Sequence, residues 1–169
     1  MRKNLLTAVG LAGLILLLDQ ASKAWVLSTI KPSGSWVTVV PGFFNLIYAE
    51  NTNAAFGILH FVPYSLRIVV LTGFAVVVSA VLLVSLVQGR IARPWTVVAT
   101  GLIVGGALGN ALDRIRLGYV VDFIDWHIAE KFHWNVFNVA DSAVVVGVII
   151  LFVTSKGEDR PARARTVAA

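Results

Sequence analysis

The sequence predicts an all-α integral membrane protein. It should have four transmembrane helices and a small antiparallel β-sheet in the outer loop between the first two. Three observations predict this. The chain of 169 residues is 57% hydrophobic and only 14% charged, where a soluble domain carries about 25% charged residues, and its mean hydropathy is +0.82. The apolar residues fall into four runs, each close to the ~20 residues needed to cross ~30 Å of hydrocarbon. The segment after the first run carries strand and turn signals. The natural division is one membrane domain over residues 1–155, with an outer loop over about 31–64, and a polar basic tail over 156–169.

The first span covers Leu5 to Ile30 and is interrupted by Asp19 and Lys23. Arg2 and Lys3 ahead of an apolar stretch resemble a secretory signal. No A-x-A-like cleavage site follows, and the apolar character resumes at Trp25-Val26-Leu27, so a retained helix is expected. In the outer loop, Trp36–Val40 is rich in β-branched residues, Pro41-Gly42 signals a turn, and Phe43–Tyr48 reads as a second strand. Trp36, Phe43, Phe44 and Tyr48 suit a membrane interface. Asn51-Thr52-Asn53-Ala54-Ala55-Phe56-Gly57 then returns toward the membrane with polar groups suited to an extended peptide or a lipid headgroup. The second span, Ile68 to Gln88, holds no charge. The third, Trp95 to Leu112, is bounded by Arg93 and Asp113. The fourth, Val136 to Ser155, holds only Asp141. The tail from Lys156 is too polar to bury and is expected to be disordered.

An even number of spans puts both termini on one side. That side carries Arg2, Lys3, Arg90, Arg93, Lys156, Arg160, Arg163 and Arg165; the other carries Lys31, Arg67, Arg116 and Lys131. The bias toward basic inner loops places the termini in the cytoplasm. Topology thus explains the net charge of +5 without a nucleic-acid partner. There are no cysteines, which excludes disulfides, thiolate metal sites and a cysteine nucleophile.

Asp19, Asp113, Asp122 and Asp141 lie within or at the ends of apolar runs, where a charge costs roughly 3 kcal/mol or more. Their depths coincide. At 1.5 Å per residue Asp19 lies roughly 20 Å along an outward helix. Asp113 ends the outward third helix, Asp122 sits in the short outer connection, and Asp141 is about one and a half turns into the returning fourth helix. All four should gather near the outer leaflet. Asp19 and Lys23 share a helix face, as do Asn138 and Asp141. Gly101, Gly105 and Gly109 make a close-packing stripe that ends on Asp113, with Asn110 and Arg114 beside it.

Two neighbouring aspartates can share a proton, so that one activates water while the other polarises a carbonyl. That is aspartic peptide hydrolysis, and it needs no metal. The spacing leaves open which two aspartates react, Asp113 being as good a candidate as Asp122. Other hydrolase signatures are missing. There is no H-E-x-x-H, and His60, His127 and His133 lack zinc-site spacing and read as loop or interface histidines. There is no G-x-S-x-G, and Ser22 and Lys23 point to different faces. Two rivals use the same residues. A proton-coupled transporter would also bury carboxylates, but these cluster on one side and no repeat is evident. A non-enzymatic subunit could bind signal helices through the glycine stripe.

Five motifs occur in order: Asp19-Gln20-x-Ser22-Lys23, Asn51-Thr52-x-Ala54-Ala55-Phe56, Gly105-Gly106-Ala107-Leu108-Gly109-Asn110-x-x-Asp113-Arg114, Val120-Val121-Asp122-Phe123 and Phe137-Asn138-x-Ala140-Asp141-Ser142. In these, and in its layout up to about Ser155, the chain resembles the lipoprotein signal peptidases, the bacterial signal peptidase II family. The resemblance implies an aspartic endopeptidase of the bacterial cytoplasmic (inner) membrane, with its site near the outer leaflet. Such an enzyme cuts prolipoproteins just before the cysteine that carries a diacylglyceryl group. It implies Asp122 and Asp141 as the catalytic pair. Asp19, Lys23, Asn51, Asn110, Arg114 and Asn138 would line the site and orient substrate, and Asp113 would be structural, paired with Arg114. It implies no metal or cofactor, with lipid-modified signal peptides and membrane phospholipid as partners and a monomer as the working unit. Asn53 stands where the family pattern usually has Gly; of the other residues, asparagine most readily tolerates the left-handed backbone glycine would allow.

Overall fold

The computed structural model describes residues 2–52, 62–128 and 132–155. Asn53, His60 and the tail over 156–169 lie outside the described residues, as do the side chains of His133 and Ser155. Four helices form a bundle: α1 (Arg2–Ser33), α2 (Tyr64–Val87), α3 (Pro94–Leu117) and α4 (Val139–Ser155). The first three are long and apolar enough to cross a membrane, and the apolar stretch of α4 is shorter.

The glycine stripe decides which helix is central. A Cβ built on Gly101 would meet the Ala8 carbonyl at 2.8 Å, and one on Gly105 the Ala12 carbonyl at 2.7 Å. The backbone of α1 therefore lies directly on α3. A Cβ on Gly106 would collide with the Ala140 carbonyl, and one on Gly147 would sit 3.0 Å from the Ala99 carbonyl, so α4 lies against another face of α3. Small residues substitute for the hydrophobic effect inside lipid by letting backbones approach. As a result 56% of the apolar window of α3 is buried, against 17% for α1 and 11% for α2. The α2 helix presents Val69, Phe74, Val77 and Val81 outward, as a lipid-facing helix must.

The expected hairpin is present but belongs to a larger sheet. Its strands are β1 (Val37–Val40), β2 (Phe44–Asn51), β3 (Val120–Ile128) and the two-residue β4 (Phe132–His133), ordered β1-β2-β3-β4 and antiparallel throughout. Gly42, at φ 73, turns β1 into β2. Asp122 thus lies on a strand of nine residues rather than in a short connection. Val121 and Phe123 on β3 pack against Val26 and Ile30 near the end of α1, which seats the sheet on that end of the bundle. Phe43 stacks on Trp126 and Trp126 meets Phe137 edge-on, with centroids 6.3 and 5.1 Å apart.

Two boundaries move with consequences for chemistry. The α3 helix does not stop at Leu112; it runs to Leu117 and is closed by Gly118 at φ 87, the left-handed cap that glycine adopts without penalty. Asp113 is therefore inside the helix, tolerated there because a cation faces it. The α4 helix begins at Val139, not Val136, so Asp141 falls in its first turn and not one and a half turns in.

Candidate active site

The site grows from two local structures. The first is β3, where Ala49 of β2 lies opposite Asp122. Asn51, at the end of β2, donates its side-chain N–H to Asp122 Oδ2 at 2.8 Å. The second is the start of α4. Asn138 precedes the helix, its Oδ1 accepts the Asp141 N–H at 2.8 Å, and Asp141 Oδ2 accepts the Asn138 N–H at 3.2 Å. This reciprocal pair is a capping box, which satisfies N–H groups that the first helical turn leaves without partners.

Asparagines join the two halves. Asn138 Nδ2 donates to Asp122 Oδ1 at 2.6 Å and to Asn110 Oδ1 at 3.1 Å. Asn110, on α3, donates Nδ2 to Asp141 Oδ1 at 2.7 Å. Each aspartate thus accepts from two asparagines, and Asn138 serves both. Burial, and next the charge of Asp141, push the Asp122 carboxyl from 3.8 up to about 7. Asp122 sits on β3, outside the membrane-spanning helices, and holds a proton to near neutral pH. A buried carboxylate pair of this kind has the parts of an acid–base couple for water activation.

Four other expected residues lie around this chain of bonds. Lys23, 2% exposed, reaches Asp19 Oδ2 and Asp113 Oδ2 at 2.8 Å each and Asn110 Oδ1 at 3.0 Å. Its three donors are all taken up by protein acceptors. Asp113 takes Lys23 as its partner rather than Arg114. Arg114 donates to the Asn110 carbonyl at 3.3 Å. Lys23, Asn110 and Asn138 tie Asp19, Asp113, Asp122 and Asp141 into one cluster.

Three groups were not assigned from the sequence. Gln20 donates to Asp113 Oδ1 at 2.9 Å and to Asp19 Oδ2 at 3.2 Å; its place in the Asp19-Gln20-x-Ser22-Lys23 motif was the available signal. His127 is buried on β3 with Nδ1 3.3 Å from Asp125 Oδ2, not an interface histidine; the alternation of Val121, Phe123, Asp125 and His127 was the available signal. Tyr119 closes a cluster with Tyr48, Lys31 and Glu50, its hydroxyl 3.0 Å from that of Tyr48 and 3.2 Å from Lys31 Nζ.

Residues 11–156 match the family model for signal peptidase (SPase) II. The chain belongs to the signal peptidase II family. It is 39% identical over 153 residues to the lipoprotein signal peptidase of Syntrophus aciditrophicus (strain SB), covering 90% of this chain and 94% of that one. It is 43% identical over 140 residues to the lipoprotein signal peptidase of Halothermothrix orenii, covering 83% and 88%. Its fold is similar to two solved chains, each described as a bacterial membrane enzyme. One has a TM-score of 0.79 at 29% identity, covering 96% of this chain and 94% of the other. The second has a TM-score of 0.75 at 30% identity, covering 90% and 94%. Membership makes this chain a bacterial membrane protease that acts on lipoproteins, and all five motifs fall within the matched residues.

Proposed function

We propose that this signal peptidase II is of the aspartic type, with Asp122 and Asp141 as the reacting pair. The observation that carries the reading is the unbroken chain of hydrogen bonds Asn51–Asp122–Asn138–Asp141 closed by Asn110. It links two carboxylates through shared asparagines, with a proton kept on Asp122 to about pH 7. In the reaction, the ionised carboxylate takes a proton from water as the water oxygen attacks the carbonyl carbon. The protonated partner donates to the carbonyl oxygen. Collapse of the tetrahedral species breaks the C–N bond: the leaving amine takes the proton that the first carboxyl gained from water, and a hydroxyl proton of the tetrahedral species returns to the partner carboxylate, restoring the pair.

The bond cut is the one just before the diacylglyceryl-bearing cysteine of a prolipoprotein. The charge bias of the loops supports cytoplasmic termini, which puts the sheet and both carboxylates at the outer leaflet of the cytoplasmic membrane, where such a lipid is anchored. Residues 1–155 form the peptidase unit and 156–169 a cytoplasmic tail. The exposed Trp36, Phe43, Trp126 and Trp134 suit a sheet resting among phospholipid headgroups. The working unit in this reading is a monomer, in which the asparagines that hold both aspartates are supplied by the same copy of the chain.

The test is cleavage of a diacylglyceryl-modified prolipoprotein by the purified protein in the presence of EDTA, beside Asp122→Asn and Asp141→Asn. Cleavage by wild type and none by the two folded variants is expected. Activity in either variant would sink the choice of pair.

A further inference from the structure

Behind the two aspartates lies a second pair of carboxylates, arranged in register with the first. The Val121 N–H donates to Asp113 Oδ2 at 3.1 Å, and the Ala140 N–H donates to Asp19 Oδ1 at 3.0 Å. Val121 immediately precedes Asp122, and Ala140 immediately precedes Asp141. Each candidate aspartate thus follows a residue whose backbone is hooked to a buried carboxylate. Ala140 lies in the first turn of α4, where an N–H has no acceptor within the helix. The two hooks are tied to one another by α1. Lys23 contacts both carboxylates at 2.8 Å, and Gln20 donates to both, its own oxygen held by Arg116 at 3.3 Å. Asp19, Lys23 and Asp113 are 0, 2 and 3% exposed.

We propose that Asp19 and Asp113, clamped together by Lys23 and Gln20, are positioning residues that set the separation of Asp122 and Asp141. The inference rests on reading those two as the reacting pair. The elements that carry the pair, β3 and α4, come from different parts of the chain. A common cation between their two hooks turns two independent positions into one fixed span. Lys23 extends the same control to Asn110, which bonds Asp141. A shift of one hook is transmitted through Lys23 to the other, so the clamp acts on geometry and charge without touching substrate.

The test measures kcat, KM and the pH profile of cleavage for the full chain in detergent, for wild type, Asp113→Ala, Asp113→Asn and Asp122→Asn. Asp113→Ala removes the hook but leaves Lys23 its Asp19 partner. Its kcat per folded molecule should fall about 10- to 100-fold at unchanged KM, the size of effect a misplacement near 1 Å produces, and its alkaline limb should move. Asp113→Asn keeps an oxygen for the Val121 N–H and should recover most of kcat. Folded Asp113→Ala with the kcat and pH profile of wild type overturns the proposal. Independently of any variant's folding, the Val121 and Ala140 amides of wild type should exchange hydrogen only on global unfolding. Exchange as fast as that of exposed loop amides overturns the clamp as well. Turnover that survives Asp122→Asn instead overturns the reading of the pair, and the exchange result separates the two failures.

Discussion

Asn138 and Asp141 cap each other at the start of α4, with bonds of 2.8 and 3.2 Å, so one of the two candidate reacting groups is also part of what begins its own helix. Asn138 has a second task, donating to Asp122 at 2.6 Å. The two tasks separate by substitution. Asn138→Ala should lose the cap, worth about 1 kcal/mol, and lower kcat about 100-fold through a loosened Asp122. Asn138→Ser restores a capping oxygen but is too short to reach Asp122. It should therefore recover Tm and leave kcat low. Thermal unfolding beside cleavage reads both; recovery of both together would show that Asn138 acts only as a cap.

The pH behaviour follows from Asp122. Its carboxyl is raised from 3.8 to about 7 by burial and by the charge of Asp141, so folding favours the protonated form. The stability this contributes is fully present below 3.8 and is lost as pH rises through about 7. Cleavage should decline along the same limb as the pair loses its shared proton. Asp122→Asn cannot ionise, so its Tm relative to wild type should rise as pH goes from 3.8 to about 7 and level off above that, even though it does not cleave. Parallel Tm curves for the two proteins would contradict the raised value.

How much of this was legible in the sequence depends on the range of the interaction. The spans were readable because each is a long apolar run, and the β1–β2 hairpin because a two-residue Pro-Gly turn separates two β-branched or aromatic segments. The strand β3 was not read, because its pairing to β2 spans about seventy residues of sequence and no local turn marks it. The end of α3 was misplaced because Asp113 resembles a boundary until Lys23, on another helix, is seen to neutralise it. The gathering of Asp19, Asp113, Asp122 and Asp141 followed from depth along the helices for three of them and from the place of Asp122 in the connection between α3 and α4. Which of them pair did not, since that depends on Asn110 and Asn138 reaching across from different elements.

The glycines separate into two classes by what surrounds them. Gly106 faces the backbone carbonyl of Ala140, and Gly105 that of Ala12 at 2.7 Å from a built Cβ. Backbone cannot move aside as a side chain can, so Gly105→Ala and Gly106→Ala must push helices apart. Gly106→Ala should also displace Ala140 and therefore Asp141, costing activity beyond its effect on Tm. Gly13 in α1 and Gly73 in α2 have nothing within 4 Å. Gly13→Ala and Gly73→Ala should leave cleavage intact and hold or raise Tm, since alanine is favoured over glycine in a helix by about 1 kcal/mol. A neutral Gly106→Ala would mean α3 and α4 are not in backbone contact.

Two lysines of α1, eight residues apart, should respond in opposite ways. Lys31 bonds Tyr48 at 2.8 Å and lies 3.5 Å from Glu50, but both charged side chains are more than 40% exposed. Water can replace each partner, so Lys31→Met should leave Tm within the scatter of wild type. Lys23 is buried between Asp19 and Asp113. Lys23→Met strands two carboxylates without a counter-charge, and breaking a buried pair in this way costs about 3–5 kcal/mol. Lys23→Met combined with Asp113→Asn leaves one stranded charge in place of two and should regain part of that loss. A double variant no more stable than Lys23→Met would mean that Lys23 contributes packing rather than charge balance. It would also remove the electrostatic reason for placing one cation between the two hooks.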